Sequence, residues 1–178
     1  MLQGDTWTCG SAVSSVCNVS SMAAGGLSGE SQCDTGTYSY GFAPWTGVDV
    51  CARYGVACDA SSNVIALCLV ENNLNGTLSV AALPSLQYLT IIYNAHLSGT
   101  IPASLSQLSQ LTQLWLNSNN LSGTIPASLS QLRQLTWLGL NKNRLNGSIF
   151  PILKNLSRLQ TVLLSCQSSR VNTTNLSP

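Results

Sequence analysis

Leucine recurs in a fixed frame along the later part of the chain. The segment LSGTIPASLSQL at residues 97–108 returns letter for letter at residues 121–132, an offset of 24 residues. Around it, leucines spaced L-x-x-L-x-L precede an asparagine and a further leucine, and similar frames begin near Leu67, Leu86 and Leu159. A hydrophobic frame of this period predicts stacked turns, each made of one short strand and a return segment. The leucines of successive turns would form one continuous core that no single turn could bury alone.

An asparagine follows the leucines of each full turn, at Asn72, Asn94, Asn119 and Asn143. In stacked turns these side chains would lie one above another as an internal ladder. Their amides would satisfy backbone groups where the chain leaves the strand, because a carboxamide offers both donors and an acceptor. We therefore predict a structural role for the ladder rather than a role in ligand binding.

The pattern L-x-x-L-x-L-x-x-N-x-L is that of the leucine-rich repeat. The L-S-G-T-I-P element within the frame resembles the plant-type extracellular subclass, which occurs in polygalacturonase-inhibiting proteins and in the ectodomains of receptor-like proteins and receptor kinases. Upstream, CARYGVAC at residues 51–58 is similar to the cap motif C-x-W-x-G-V-x-C of this family, with Tyr54 in the tryptophan position. The two cysteines of that motif are bonded in the family, so the resemblance implies a disulfide between Cys51 and Cys58.

The resemblance implies an α/β solenoid of right-handed leucine-rich repeats, with a short parallel β-sheet on its concave face, about five turns of 24 residues and an N-terminal disulfide cap. We divide the chain into a Cys-rich N-terminal segment and cap at residues 1–62, repeats at 63–169, and a disordered tail or truncated end at 170–178. Residues 1–45 lack the amphipathic helices of the family's cap, and no further leucine layer follows the last turn. Because solenoids need capped ends, we expect an excerpt of a longer protein or an unusual family member.

Charge is scarce and unevenly placed. Lys, Arg, Asp and Glu make up 7% of the 178 residues, against about 25% in typical domains, so uncharged polar side chains must supply most of the polar surface. The formal net charge of +1 hides an acidic N-terminal part and basic repeats, because all six acids fall within residues 1–72. This balance argues against nucleic-acid binding, which needs clustered Lys and Arg.

The sequence contains no catalytic or cofactor-binding pattern. The repeats after residue 72 carry no Asp or Glu, so paired-carboxylate chemistry has no place on them. His96 has no acid or nucleophile near it in sequence, and no G-x-x-x-x-G-K-[ST] loop for phosphate occurs. We predict a chain that is not an enzyme and needs no cofactor.

Cysteines and glycosylation motifs indicate an oxidising compartment. The seven cysteines are Cys9, Cys17, Cys33, Cys51, Cys58, Cys68 and Cys166. Their density predicts a disulfide-stapled segment; a zinc site is the alternative, but there is no C-x2-C pair and the sole histidine is distant in sequence. The N-x-[ST] pattern of N-glycosylation occurs at Asn18, Asn75, Asn120, Asn146, Asn155, Asn172 and Asn175. We predict an extracellular or cell-surface location; the chain itself begins without a signal peptide and has no apolar run that would span a membrane.

Two cysteines fall on the repeats. Cys68 and Cys166 occupy strand positions that we expect to be exposed, and they lie too far apart in the stack to bond with each other. We expect Cys68 to pair with a cysteine of the cap, while Cys166 either stays unpaired or pairs with a further C-terminal segment. The pairing of Cys9, Cys17 and Cys33 stays open.

The concave face is the predicted binding surface. Side chains alternate along a strand, so the residues between the leucines should point outward and form columns across the turns. Trp115 and Trp137 should face solvent, with Gly139 leaving a gap beside Trp115. The candidate ligand-binding residues are Tyr88, Thr90, Tyr93, Gln113, Trp115, Asn117, Trp137, Asn141 and Lys142. They predict a protein, peptide or carbohydrate ligand; the alternative is that the aromatic rings pack on one another or on glycans.

Three other functions remain open at the level of sequence. The family resemblance also fits an inhibitor of cell-wall hydrolases. A regular row of hydroxyls would suit an ice-binding surface, although β-prone, half-exposed positions explain the same pattern. This row comprises Thr77, Thr100, Thr124 and Ser148. The chain could also be a purely structural segment of a longer receptor.

Overall fold

The computed structural model describes residues 51, 55–79, 83–164 and 171–172. The predicted N-terminal segment before residue 51 therefore lies outside the described residues, and so does most of the predicted tail. Four of the seven cysteines fall outside as well, namely Cys9, Cys17, Cys33 and Cys166, and so do the glycosylation motifs at Asn18 and Asn175.

Each repeat contributes one strand to a six-stranded sheet. Strand β1 (Val56–Cys58) lies antiparallel to β2 (Val64–Val70). The sheet continues with parallel neighbours in chain order, namely β4 (Tyr88–Ile92), β6 (Gln113–Trp115), β8 (Trp137–Gly139) and β10 (Thr161–Leu163). The predicted leucine-rich-repeat solenoid with a short parallel sheet is confirmed.

A second set of strands follows the concave strand of each turn, and the repeat pattern did not predict it. It comprises β3 (Asn75–Thr77), β5 (His96–Ser98), β7 (Ser122–Thr124), β9 (Arg144–Ser148) and β11 (Val171–Asn172). Strand β3 pairs with β5, and β7, β9 and β11 pair in series, all parallel; an isolated bridge between Thr100 and Ser122 joins the two groups. Strand β11 lies within residues 170–178, the segment predicted as a disordered tail or truncated end.

The return segments contain little helix. Two turns close through 3-10 helices, Ala103–Gln107 and Ala127–Gln131, and each follows a proline in extended conformation. The next turn has a short α-helix, α1 (Phe150–Leu153), where phenylalanine replaces that proline. The sequence change at this position therefore coincides with a change of helix type.

The core is a continuous column of leucine and isoleucine side chains. Fully buried leucines come from every complete turn, including Leu86, Leu89, Leu111, Leu114, Leu116, Leu121, Leu129, Leu132 and Leu135. Burying one such side chain stabilises the fold by roughly 1.5–3 kcal/mol. Because each layer covers the next, the stack holds together through contacts between neighbouring turns.

The predicted asparagine ladder joins consecutive turns in the interior. The Asn119 Nδ2 group donates to the carbonyls of Ile91 at 2.7 Å and Leu116 at 2.8 Å, one on the preceding turn and one on its own. Its Oδ1 accepts the Asn94 N–H at 2.9 Å. The Nδ2 groups of Asn94 and Asn143 likewise each donate to one carbonyl of their own turn and one of the preceding turn. Asn94 Oδ1 accepts the Asn72 N–H, and Asn143 Oδ1 accepts the Leu121 N–H. The structural role predicted for the ladder is confirmed for these side chains.

Replacing Asn119 by alanine should lower the free energy of unfolding by about 2–4 kcal/mol, because the Ile91 carbonyl and the Asn94 N–H lose this buried partner and the Leu116 carbonyl keeps only its bond from Asn143. Chemical denaturation followed by circular dichroism measures the change. Asn155→Ala, at an exposed side chain, is the control and should change the value by less than about 0.5 kcal/mol. An N119A protein as stable as the wild type would contradict the structural role.

The N-terminal end of the sheet is closed by a disulfide and a hairpin. Cys51 and Cys58 are bonded, with 5.6 Å between their Cα atoms, which confirms the predicted pair. The hairpin from β1 to β2 turns on Asp59, whose Oδ1 accepts the N–H groups of Ser61 at 2.8 Å and Asn63 at 2.9 Å. The Asn63 Nδ2 group also donates to both carboxylate oxygens. The carboxylate thus organises the turn that positions the first strand.

Asp59 should titrate below its ordinary pKa of 3.8, because hydrogen bonds from the Asn63 side chain, and then from backbone N–H groups, favour its charged form over a small opposing desolvation. A pKa lower in the folded than in the unfolded chain means that this stabilisation is present above about pH 4 and is lost as pH falls through the folded pKa. Carboxyl 13C NMR measures the midpoint. Asn63→Ala should move it back toward 3.8, and an identical midpoint in both proteins would refute the assignment.

Candidate functional site

The strand register aligns the predicted binding residues into columns on the concave face. Tyr88, Gln113 and Trp137 are direct neighbours across β4, β6 and β8. Thr90, Trp115 and Gly139 form the adjacent column, as predicted. Neighbouring residues in a column are about 4.8 Å apart, so large side chains in consecutive turns must touch.

This crowding buries several side chains that were predicted to face solvent. Trp115 is 6% exposed, Thr90 is 5% exposed and Asn117 is 8% exposed, so the prediction of exposure is wrong for these three. The half-buried members of the set are Tyr88, Tyr93, Gln113, Trp137 and Asn141, while Lys142 is exposed. The accessible part of the predicted site is therefore smaller than the sequence indicated.

The Trp115 ring packs against residues of the following turn. Its ring centroid lies 5.7 Å from that of Trp137, with 30° between the planes, and its Nε1 donates to Gln113 Oε1 at 3.2 Å. The ring also covers Gly139, where an added Cβ would lie 2.5 Å from Trp115 Cε3. The gap predicted beside Trp115 is therefore filled by Trp115 itself. For Trp115 and Trp137, the structure thus agrees with the alternative stated above, that the aromatic rings pack on one another.

Gly139→Ala should lower the free energy of unfolding by about 1–3 kcal/mol, because the new methyl group overlaps the Trp115 ring and forces it aside. In a Trp115→Ala background the same change should cost less than about 1 kcal/mol, since the clash is gone. Denaturation of the four proteins completes the double-mutant cycle. Equal costs in both backgrounds would show that Trp115 does not lie over Gly139.

The N-terminal half of the concave face is apolar and closed. Ala57, Ala66 and Cys68 form a buried cluster, against which Val70 and Tyr88 pack. Cys68 is 8% exposed, so its predicted exposure is wrong; as a thiol, it has a pKa that burial raises to about 12. The cysteines predicted to bond it lie outside the described residues. The accessible polar surface begins only in the turns that follow.

A strained backbone position follows each of the concave strands β2, β4, β6 and β8. The residue before each ladder asparagine adopts a left-handed conformation, with φ of 54° at Glu71, 59° at Tyr93, 58° at Ser118 and 54° at Lys142. Non-glycine residues seldom adopt this conformation, and here it turns the chain out of the strand. Glu71 and Lys142 are exposed, so this column changes from an acid at one end to a base at the other.

Three polar atoms at this edge have no hydrogen-bond partner although they are buried. They are Asn117 Oδ1, Ser118 Oγ and Asn141 Oδ1, all from two adjacent turns. Asn117 and Asn141 were predicted from sequence as ligand-binding residues. Ser118 was not among them, because one serine hydroxyl in a chain rich in serine does not by itself indicate binding.

The predicted hydroxyl row lies exposed on the second sheet, but its members are not direct neighbours. The register pairs Thr77 with Ser98, and Thr124 with Asn146, so equivalent positions are offset by two residues between turns. Each threonine methyl instead lies over a glycine of the next turn, as Thr77 does 2.9 Å from the Cβ position of Gly99. The threonines therefore do not stand in rows along the hydrogen-bonding direction.

The predicted glycosylation sites differ in exposure. Asn75 and Asn146 are exposed on the second sheet, Asn155 is exposed after α1, and Asn120 is half-buried. Asn172 lies in β11, where only the backbone is described. Among the described residues, none of the exposed acceptors lies on the concave face.

Within residues 51, 55–79, 83–164 and 171–172, no group of three or more His, Cys, Asp or Glu side chains is arranged to hold a metal ion. Within the same residues, no helix has the length and hydrophobicity needed to cross a membrane.

Comparison with known proteins gives one family. Residues 84–145 match the family model described as leucine rich repeat. No curated protein sequence matches the chain. One chain of the BIR3–SERK2 complex from Arabidopsis thaliana is 32% identical with a TM-score of 0.65, over 73% of this chain and 71% of that chain.

Two other solved structures are similar over a part of their length. A plant ice-binding protein is 36% identical with a TM-score of 0.65, over 68% of this chain and 41% of that chain. The leucine-rich-repeat ectodomain of the plant membrane receptor kinase GASSHO1/SCHENGEN3 from Arabidopsis thaliana, in complex with CASPARIAN STRIP INTEGRITY FACTOR 2, is 37% identical with a TM-score of 0.63. That match covers 70% of this chain and 15% of the receptor chain, so this chain spans only a small part of that ectodomain.

Proposed function

Because the chain belongs to the plant-type extracellular leucine-rich repeat family, we propose that it is a non-catalytic binding module whose concave face binds a peptide or a protein. The observation that carries the proposal is the accessible polar and aromatic surface around Trp137 on the C-terminal half of that face. The N-terminal half is closed by its own apolar cluster, so the ligand would contact the later turns.

The chemistry of this surface suits a polypeptide. Trp137 offers a half-buried ring with an N–H, which combines a large apolar contact with a polar one, as at many interface hot spots. Lys142 adds an exposed positive charge at the end of the neighbouring column, and Tyr93 and Asn141 add hydrogen-bonding groups. A partner with an acidic or carboxylate group near an apolar side chain would complement it.

Relatives with bound partners support a protein or peptide ligand over a carbohydrate. The BIR3–SERK2 structure is a complex of two proteins, and the GASSHO1/SCHENGEN3 ectodomain is in complex with CASPARIAN STRIP INTEGRITY FACTOR 2. The same relationship supports an extracellular or cell-surface location, which we include in the proposal. Glycans on Asn75, Asn146 or Asn155 would leave the concave face open, because these acceptors lie on other surfaces.

A display library of random peptides, selected against the secreted chain, tests the proposal. Trp137→Ala should weaken binding of the selected peptides at least tenfold, about the 1.4 kcal/mol or more expected of a hot spot. Phe150→Ala is the matched control, because it removes another aromatic ring, 38% exposed, from outside the concave face. Its affinity for the same peptides should equal that of the wild type.

Thermal melts of each variant distinguish lost contacts from lost folding, since Trp137 also packs on Trp115. Selected peptides that bind the folded Trp137→Ala protein with unchanged affinity would refute the concave site. Failure to select any peptide, together with saturable binding of a cell-wall polysaccharide or of a purified wall hydrolase, would favour those alternative ligands.

A further inference from the structure

The three partnerless polar atoms belong to residues on two adjacent turns at the same edge of the concave face. The backbone ladder continues past the strands there, with Leu116 N–H donating to Gly139 O at 2.8 Å and Ser118 N–H to Asn141 O at 3.0 Å. These bonds hold Asn117 opposite Asn141, about one strand spacing of 4.8 Å away. Asn117 Oδ1 lies 3.3 Å from the Cβ position of Gly139, so it leans toward the next turn rather than into the core.

Both asparagines thus present an acceptor without a donor on adjacent turns. A buried acceptor without a partner is unfavourable and is rare in native proteins. Asn117 is 8% exposed, so bulk solvent does not compensate its oxygen. If Asn117 and Asn141 had only a structural role, their side-chain oxygens would be expected to accept hydrogen bonds within the chain, as those of the ladder asparagines do. The cluster therefore points to a donor that is supplied from outside the chain.

The interior of the protein shows which donor fits two oxygens one turn apart. The Nδ2 group of Asn119 bridges carbonyls of two consecutive turns at 2.7 and 2.8 Å. Asn143 does the same at 2.8 and 3.0 Å, and Asn94 at 3.1 and 2.9 Å. One NH2 group of a primary carboxamide therefore matches the turn spacing in all three cases.

Charge selects a neutral donor over a cationic one. Lys142 follows Asn141 directly and is exposed, so an ammonium group at the site would meet a positive charge. The chain has no Asp or Glu after residue 72 to offset it. A carboxamide carries two hydrogen-bond donors without charge.

We propose that Asn117 and Asn141 bind the carboxamide side chain of an asparagine or glutamine in a peptide ligand, an inference that rests on the proposed function. The ligand NH2 group donates one hydrogen to each Oδ1, and the Ser118 hydroxyl donates to the ligand carboxamide oxygen. All three partnerless atoms then have a partner.

Small probes test the site independently of any natural ligand. Acetyl-glutamine methylamide, titrated into the 15N-labelled chain, should produce saturable shifts in the side-chain NH2 resonances of Asn117 and Asn141. Acetyl-glutamate methylamide, nearly identical in shape but without the NH2 donors, and acetyl-methionine methylamide should bind at least tenfold more weakly. Equal responses to the three probes, or no response to the glutamine probe, would overturn the proposal.

Variants of the two asparagines provide the second arm. Asn141→Leu removes the acceptor and should abolish the glutamine-specific shifts, whereas Asn141→Asp retains an acceptor and should preserve them. Asn155→Leu, at an exposed asparagine away from the site, is the matched control. Glutamine-specific shifts that persist in folded Asn141→Leu protein would place the probe elsewhere and contradict the assignment. If the leucine variant does not fold, the comparison of probes on the wild type still decides.

The outcome for this site is separable from that of the proposed function. Peptides whose affinity depends on Trp137 but that lack a required Asn or Gln would overturn the carboxamide site and leave the binding module intact. Saturable glutamine-specific shifts without any selectable peptide would support the site and refute the module. Peptides that lose at least tenfold in affinity when their Gln is changed to Glu would support both.

Discussion

The carboxamide groups of the ladder asparagines hold consecutive turns together where apolar contacts alone would leave polar backbone buried. Leucine side chains attract one another without fixing how one layer is rotated on the next, since apolar burial is not directional. The ladder bonds are directional, because Asn119 joins a carbonyl of its own turn, a carbonyl of the turn before and an N–H of that same earlier turn. Register, and therefore every column on the concave face, follows from this connection.

Given that register, space on the concave face is set by the distance between turns. Adjacent side chains in one column are too close for two large rings to lie flat beside each other, so Trp115 lies over Gly139 and tilts against Trp137. The accessible surface is what this packing leaves, and it is concentrated around the second ring and the residues that end the strands. The same face therefore combines a closely packed pair of tryptophans with a neighbouring polar edge that contains Asn117 and Asn141.

The repeat frame made much of this architecture predictable. The leucine spacing predicted the stacked turns and the parallel sheet, and strand alternation predicted the columns that contain Tyr88 and Trp115. The burial of individual side chains was not predictable in the same way. Trp115 is buried because Gly139, one turn later, leaves room for its ring and because the ring packs against Trp137. The second sheet was missed because its strands are short and its offset of two residues per turn arises from backbone hydrogen bonds rather than from side-chain pattern. The partnerless oxygens of Asn117 and Asn141 likewise become visible only once neighbouring atoms are known.

Glu71, Tyr93, Ser118 and Lys142 share one backbone conformation while differing in charge, size and polarity. The conformation is therefore imposed by the bonds on either side of the residue and does not depend on what the side chain prefers. The side chain at such a position can therefore change during evolution while the turn keeps its shape, because the backbone conformation does not depend on it. Each added repeat contributes one such variable residue to the same edge, so a lineage of these proteins can acquire new partner preferences through a column that its core does not restrict.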